Sequence, residues 1–134
     1  MPDRIDTLRM AGALTAHALE RQKLVARNVA NADTPGYRSR DLAGFAETYR
    51  SHAAMAMRAT RPGHLTGAAW DGAGWDGTAG RIVDPGGEPA PNGNTVSLEE
   101  EMFRSAAAKR QFDLSLTVTR SSLALLRTSL GRQN

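Results

Sequence analysis

Two long stretches of this chain carry apolar residues at alternating steps of three and four, and between them the pattern disappears. Over residues 4–32 the row is Leu8, Ala11, Thr15, Ala18, Gln22, Val25 and Val29. That spacing is the seam of a coiled coil and predicts a helix. Leu14, Leu19 and Leu24 widen the apolar surface beyond one stripe. Thr15 and Gln22 dilute the seam, so this helix needs a partner. Asp3 and Asp6 lie near the start, where the macrodipole favours acids, and only Gly12 interrupts the run.

Residues 97–131 predict a second helix. Ser97 is placed as its N-cap, with Glu100 at capping-box spacing and Glu99 and Glu101 adding acid to the first turn. Arg127 and Arg132 sit at the far end, and Gly131 is the expected stop. The expected seam runs Leu98, Met102, Ser105, Lys109, Phe112, Leu116, Thr119, Leu123, Leu126 and Leu130. A second row, Ala107, Leu114, Val118 and Leu125, lies beside it, and two rows demand more than one neighbour. The expected packing residues are therefore Leu8, Val25 and Val29 on the first helix. On the second they are Met102, Phe112, Leu116, Leu123, Leu126 and Leu130.

Residues 33–96 differ in kind. Gly and Pro are dense from Pro62 to Gly93, and Asp71-Gly72, Asp76-Gly77 and Asn92-Gly93 are turn dipeptides. Residues 42–59 are rich in Ala and Met and predict a short helix, while residues 81–83, RIV, form the one strand-like core. The expected architecture is mainly α. Long N- and C-terminal helices pack as a coiled coil or helical hairpin around an irregular Gly/Pro-rich insertion with at most minor β. The whole chain, 1–134, reads as one unit.

Composition narrows the function. The chain has 134 residues, a mean hydropathy of −0.44, and aromatics at 5% of residues, so a core must come from Leu, Val, Met and Ala. Such a chain is expected to complete its packing on a partner. It contains no cysteine, which excludes disulfides, Cys-based zinc sites and thiol catalysis. No run is long and apolar enough for a transmembrane helix. The first residues, MPDRIDTLRMAGAL, carry acids early and lack an apolar core, so no cleavable secretory signal is expected. The net charge of +3 divides into about +4 over residues 1–61, −3 over 62–96 and +2 over 97–134. Bases are interspersed with acids, unlike the concentrated basic face of a nucleic-acid protein.

Candidate chemistry is sparse. His17, His52 and His64 lack second ligands at helical zinc spacing, and there is no P-loop, nucleophile elbow or dinucleotide fingerprint. The three glutamates at 99–101 read as helix-start charge in preference to a metal or acid–base site. Trp70 and Trp75 in WDGAGWDG can stack on a sugar or partner, but are read as tucking the loop onto a neighbour. The expectation is no catalytic residue, no metal and no cofactor.

One string exceeds what a helix stop requires: RNVANADTPGYRSRDL, residues 27–42. Pro35 ends the helix and moves Thr34 out of the α region, and Gly36 permits a tight turn. Asn28, Asn31, Asp33 and Thr34 can bond orphan helix carbonyls or the turn backbone, and Tyr37 has an anchor's apolar body and polar tip. The string resembles the N-terminal signature of bacterial flagellar axial proteins, through Asn28, Val29, Ala30, Asn31, Thr34, Pro35, Gly36 and Tyr37. RSRDL after Tyr37, TRPGHL at 60–65 and NGNTVSLEEEMF from Asn92 are similar to the proximal-rod members of that family. Residues 66–91 have no counterpart in the resemblance.

The resemblance implies a structural subunit of the flagellar basal body, whose terminal helices form a coiled coil and polymerise helically into a torque-transmitting rod. It implies assembly roles for Asn28, Ala30, Asn31, Thr34, Pro35, Gly36 and Tyr37. Implied partners are other copies, neighbouring rod subunits, the membrane-ring junction protein and the flagellar export apparatus. Implied location is the periplasmic rod, reached without a cleaved signal. Nucleic acid and direct membrane insertion are not implied. Two alternatives stay open: another axial subunit, and a helical-hairpin adaptor binding nucleic acid.

Overall fold

The computed structural model describes residues 2–54 and 80–131. Helix α1 spans Pro2–Ala30, strand β1 Asp41–Leu42, helix α2 Phe45–Ala54, strand β2 Ile82–Val83 and helix α3 Leu98–Leu130. The protein is mainly helical, with α1 and α3 packed along each other. The Trp70/Trp75 loop, the TRPGHL stretch and the end of the predicted 42–59 helix lie outside the described residues.

Three side-chain bonds fix the helix pairing. Asn28 bonds Glu101 at 3.1 Å, Gln22 bonds Ser105 at 2.9 Å and Thr15 bonds Ser115 at 2.8 Å. As the number falls along α1 it rises along α3, so the pair is antiparallel. The contact face of α1 is the expected one: Ala11, Ala18 and Val25 are buried. That of α3 is not. Its buried residues are Glu101, Ala108 and Ser115, one heptad apart and one residue behind the row Met102, Lys109, Leu116, Leu123, Leu130. Small side chains at 11, 18, 108 and 115 let the two backbones come close. Thr15 joins the close approach by bonding both Ala11 O and Ser115 Oγ.

The one-residue rotation corrects several expected packing residues. Met102 is 72% exposed and Leu130 77%, while Val29 and Leu123 are also exposed. Leu8, Phe112, Leu116 and Leu126 are half-buried at the edges of the seam. Val25 alone of the predicted set is fully buried.

Helix α1 has a second buried face, formed by Ala13, His17, Leu24 and Asn28. Against it lies the segment that returns after the turn. The His17 imidazole bonds Ala43 O at 2.9 Å and meets the Phe45 ring edge-on at 5.7 Å. Phe45 in turn packs on Tyr49 one helical turn along α2, at 5.4 Å. Asp41 pairs with Val83 and Leu42 with Ile82 in a two-stranded antiparallel ribbon, extended by Ala43 N donating to Arg81 O. The predicted RIV strand core thus supplies β2. Ser97 caps α3 by accepting from Glu100 N, and Gly131 follows its last turn. The reciprocal half of the capping box is absent: the Glu100 carboxylate takes Arg104 instead, at 2.8 Å.

Burial is uneven along the hairpin, since no described residue of α3 beyond Ser115 is buried. Two substitutions test this packing. Gly12 is exposed, with nothing within 4 Å of where a methyl group on its Cα would stand. Gly12→Ala should therefore stabilise the chain by about 0.5–1 kcal/mol through helix propensity alone. Ala108, at 1% exposure, faces α1 directly. Ala108→Leu should cost about 1–3 kcal/mol by forcing the helices apart. Urea midpoints of the two variants moving in the same direction would refute the seam.

Candidate functional site

The string that exceeds a helix stop builds the closed end of the hairpin. After Ala30 the backbone tightens through Asn31 N to Asn28 O at 3.0 Å, Ala32 N to Val29 O at 3.2 Å and Thr34 N to Asn31 O at 3.0 Å. Thr34-Pro35-Gly36-Tyr37 then reverses the chain, with Tyr37 N donating to Thr34 O at 3.2 Å. Pro35 presets its own φ and Gly36 adopts φ +71°, the pairing of a type II turn. A side chain at position 36 would be strained there.

Asn28 is the centre of the site and is completely buried. Its Nδ2 donates to Arg40 O at 2.7 Å and to Glu101 Oε1 at 3.1 Å. Its Oδ1 accepts from Arg40 N at 3.1 Å and from the Tyr37 hydroxyl at 3.2 Å. Both donors and both acceptor positions of the amide are thereby used. The pairing with Arg40 is two-point, as a neighbouring strand would pair. So a helix side chain clamps the backbone that leaves the turn and joins it to α3.

A second amide closes the site from the other end of the sequence. Asn94 is buried, and its Nδ2 lies 2.9, 2.7 and 2.8 Å from the carbonyl oxygens of Asn31, Ala32 and Thr34. These carbonyls belong to the turn that follows α1, and two of them, Asn31 O and Thr34 O, also accept the backbone bonds of that turn. Residues 92–95 also bond the turn by backbone: Gly36 N donates to Asn92 O at 3.0 Å and Thr95 N to Tyr37 O at 3.1 Å. Ser39 N donates to Thr95 Oγ1 at 2.9 Å. Two strings 60 residues apart are thus one structural unit.

Charges wrap this core. Arg21 holds Asp41 through two bonds, Nε at 2.8 Å and Nη2 at 2.7 Å. The bond to Asp41 raises the Arg21 guanidinium still further above its ordinary pKa, against the opposing cost of burial. Arg104 bonds Glu101 and reaches Asp41 Oδ2 at 4.0 Å. The four side chains join α1, β1 and α3. Glu101 lies in the acidic first turn as expected, but unlike its neighbours it faces inward. It is fully buried, with one oxygen on Asn28 and Arg104 and the other enclosed without a hydrogen-bond partner. Glu99 keeps the expected role: its own backbone N–H and then the Ser97 hydroxyl hold its carboxylate below the usual range.

The motif residues divide by position. Asn28 points inward and Tyr37 is half-buried against it, while Ala30, Thr34, Pro35 and Gly36 are exposed. Asn31, half-buried, donates its own amide to Arg27 O at 2.8 Å. Sequence pattern gives no sign of Arg21 and Arg104, while Asp41, Asn94 and Glu101 fall within the family-like stretches RSRDL and NGNTVSLEEEMF, but those strings give no role to each residue. Their charges and amides look like surface groups until partners 20 or more positions away are brought in. Among the described residues no group of His, Asp and Glu could hold a metal ion.

What this arrangement does is hold backbone: it ends one long helix, reverses the chain and ties the reversal to a second long helix. That defines a helical-hairpin structural subunit, with its outer apolar rows left uncovered. Comparison with known proteins agrees. Residues 11–38 match the family described as flagella basal body rod protein. The chain is 30% identical over 131 residues to the flagellar basal body rod protein FlgB of Salmonella typhimurium, covering 92% of each chain. It is also 30% identical over 109 residues to the protein of that name from Agrobacterium fabrum, covering 75% of each. Against the Escherichia coli protein of that name the figure is 30% over 128 residues, or 87% of this chain and 88% of the relative. The chain belongs to this family, the FlgB-type structural proteins of the flagellar basal body rod.

Asn28 provides the test of the lock. Asn28→Ala would remove the partner of the Arg40 backbone, the Tyr37 hydroxyl and Glu101, at about 1–3 kcal/mol for each group left buried and unsatisfied. Asn28→Asp keeps the shape but replaces two donors with a buried charge facing Arg40 O and Glu101, and should cost at least as much. Urea unfolding measures both, and a loss below about 0.5 kcal/mol, the size of an ordinary surface substitution, would remove Asn28 from the centre of the site.

Proposed function

We propose that this chain is a subunit of the proximal rod that polymerises helically through its terminal helices into the shaft transmitting torque. The observation that carries the reading is the apolar surface a single copy leaves in water. On α3 alone, Leu98, Met102, Phe103, Leu114, Leu123, Leu125 and Leu130 are exposed. They occupy faces that α1 does not cover. Burying one Leu or Phe is worth roughly 1.5–3 kcal/mol, so covering several of them rivals the whole stability of a small domain.

The partners that fit this surface are further copies of the chain, neighbouring rod subunits and the membrane-ring junction protein. The flagellar export apparatus is the proposed route to a periplasmic rod, without a cleaved signal. The role is mechanical: no catalysis, cofactor or metal enters it. Nor does nucleic acid, a view supported by Arg21 and Arg104 being spent on internal ion pairs. The motif's part in assembly is to aim the chain out of α1 at a fixed angle, with the exposed Thr34-Pro35-Gly36 turn available to neighbours.

Leu123 is 45% exposed, so Leu123→Asp should leave the monomer folded yet block incorporation into the rod and abolish motility. Normal basal bodies containing that variant would overturn the assembly role of this face. The monomer should also be graded in stability. Hydrogen exchange is expected to be slow over 21–30 and 98–115, where the lock and buried seam lie, and fast from 118 to 131. Uniform protection along α3 would show a self-sufficient hairpin that has no need of neighbours.

A further inference from the structure

We propose that Asn92-Gly93 is a latent self-modification site: Asn92 deamidates whenever the 92–96 segment lifts from the turn, and is shielded while the segment is docked. An asparagine followed by glycine is the sequence most open to this reaction, because no side chain on the next residue hinders its backbone nitrogen. The described asparagines at 28, 31 and 94 are followed by Val29, Ala32 and Thr95, which do hinder. Asn92 is also exposed to the water that the reaction consumes.

The chemistry needs no reagent but water. The Gly93 backbone nitrogen attacks Asn92 Cγ, and its proton passes through water to the departing Nδ2. A new N–Cγ bond forms, the Cγ–Nδ2 bond breaks, and ammonia leaves. Water then opens the cyclic imide at one of its two carbonyls. Attack at Cγ yields Asp; attack at the main-chain carbonyl yields isoaspartate, with the chain running through the former side chain.

The docked geometry opposes the first step at both reacting groups. Gly93 N–H is committed to Ala90 O at 2.7 Å, within a turn closed by Ala90 N donating to Asn94 O at 2.8 Å. Asn92 Oδ1 is held by Asn94 N at 3.0 Å. Gly93 itself sits at φ +79°, fixed by the same turn. The Asn92 carbonyl, meanwhile, is the acceptor for Gly36 N at 3.0 Å. Attack therefore requires the segment to give up the bonds that lock the closed end of the hairpin.

Modification in turn prevents redocking. Isoaspartate adds one methylene to the main chain and converts the carbonyl that accepts from Gly36 into a free carboxylate. Asn94, two residues on, is then displaced from the carbonyls of Asn31, Ala32 and Thr34. A chain that has spent time open is marked and cannot close in the same register.

The test uses the full chain in mildly alkaline buffer, with deamidation at residue 92 followed by peptide mass mapping. Native protein should deamidate at least about ten-fold more slowly than the same protein in urea, since reaction proceeds only through the opened fraction. Asn94→Ala, which keeps Asn92-Gly93 but removes the clamp, should react faster than the native chain. Isoaspartate-92 protein, separated and returned to native buffer, should lose exchange protection at the Gly36 and Thr95 amides. Equal rates in native and denatured chain would overturn the shielding, whatever Asn94→Ala does to the fold. Unchanged protection at Gly36 in the isoaspartate form would overturn the loss of redocking.

Discussion

A long helix that must stop and send its chain back beside itself needs the backbone of the reversal bonded away from the helix ladder, and the closed end of this hairpin answers that need with buried amides. The turn after the helix presents three carbonyls to Asn94 Nδ2, while Asn28 clamps the departing backbone at Arg40. Because Asn28 also bonds Glu101, the helix stop, the direction of the insertion and the register of α3 become one decision. Orphaning any member would leave a buried polar group unpaired, and that cost exceeds the modest net gain of making each bond. The lock is therefore cooperative: its members hold together or fail together.

The rest of the hairpin is built to the opposite specification. Ala11, Ala18, Ala108 and Ser115 form a seam of small side chains that closes tightly but buries little apolar area for each residue. Larger side chains such as Met102, Phe103 and Leu130 stand outside it. One end is thus specified by polar geometry and the other is left incomplete. This division suits a protein of the basal body rod family. A subunit in an assembly needs a fixed angle between its helices and the insertion, and its remaining apolar surface can be satisfied by neighbours. The polar lock supplies the angle without consuming that surface.

Much of the fold could be read from the chain because its signals are local. Alternating steps of three and four marked both helices, Ser97 and Gly131 marked the ends of α3, and Ile82 and Val83 marked the small ribbon. Pro35 and Gly36 announced a turn through constraints on their own φ. The family signature in residues 28–37 was likewise contiguous. Each of these depends on neighbours a few positions away, which is the range over which sequence pattern constrains backbone.

Which face of α3 meets α1 was decided only in three dimensions. Hydrophobicity alone favours the row through Met102, Leu116 and Leu123, yet the buried row is Glu101, Ala108 and Ser115. Successive residues on a helix are turned by about 100°, so a one-residue rotation exchanges one row for the next. Small side chains on the chosen row allow close backbone approach, and Asn28 gives Glu101 a buried partner. Glu99, Glu100 and Glu101 are identical in composition and adjacent in sequence. One is held by the capping serine, one is paired at the surface and one is sealed in the core, because the partners that distinguish them come from elsewhere in the chain. The sequence by itself determined the elements and the turn. The tertiary structure decided the helix face and the lock, since they rest on pairings across 12 to 100 residues that no local pattern encodes.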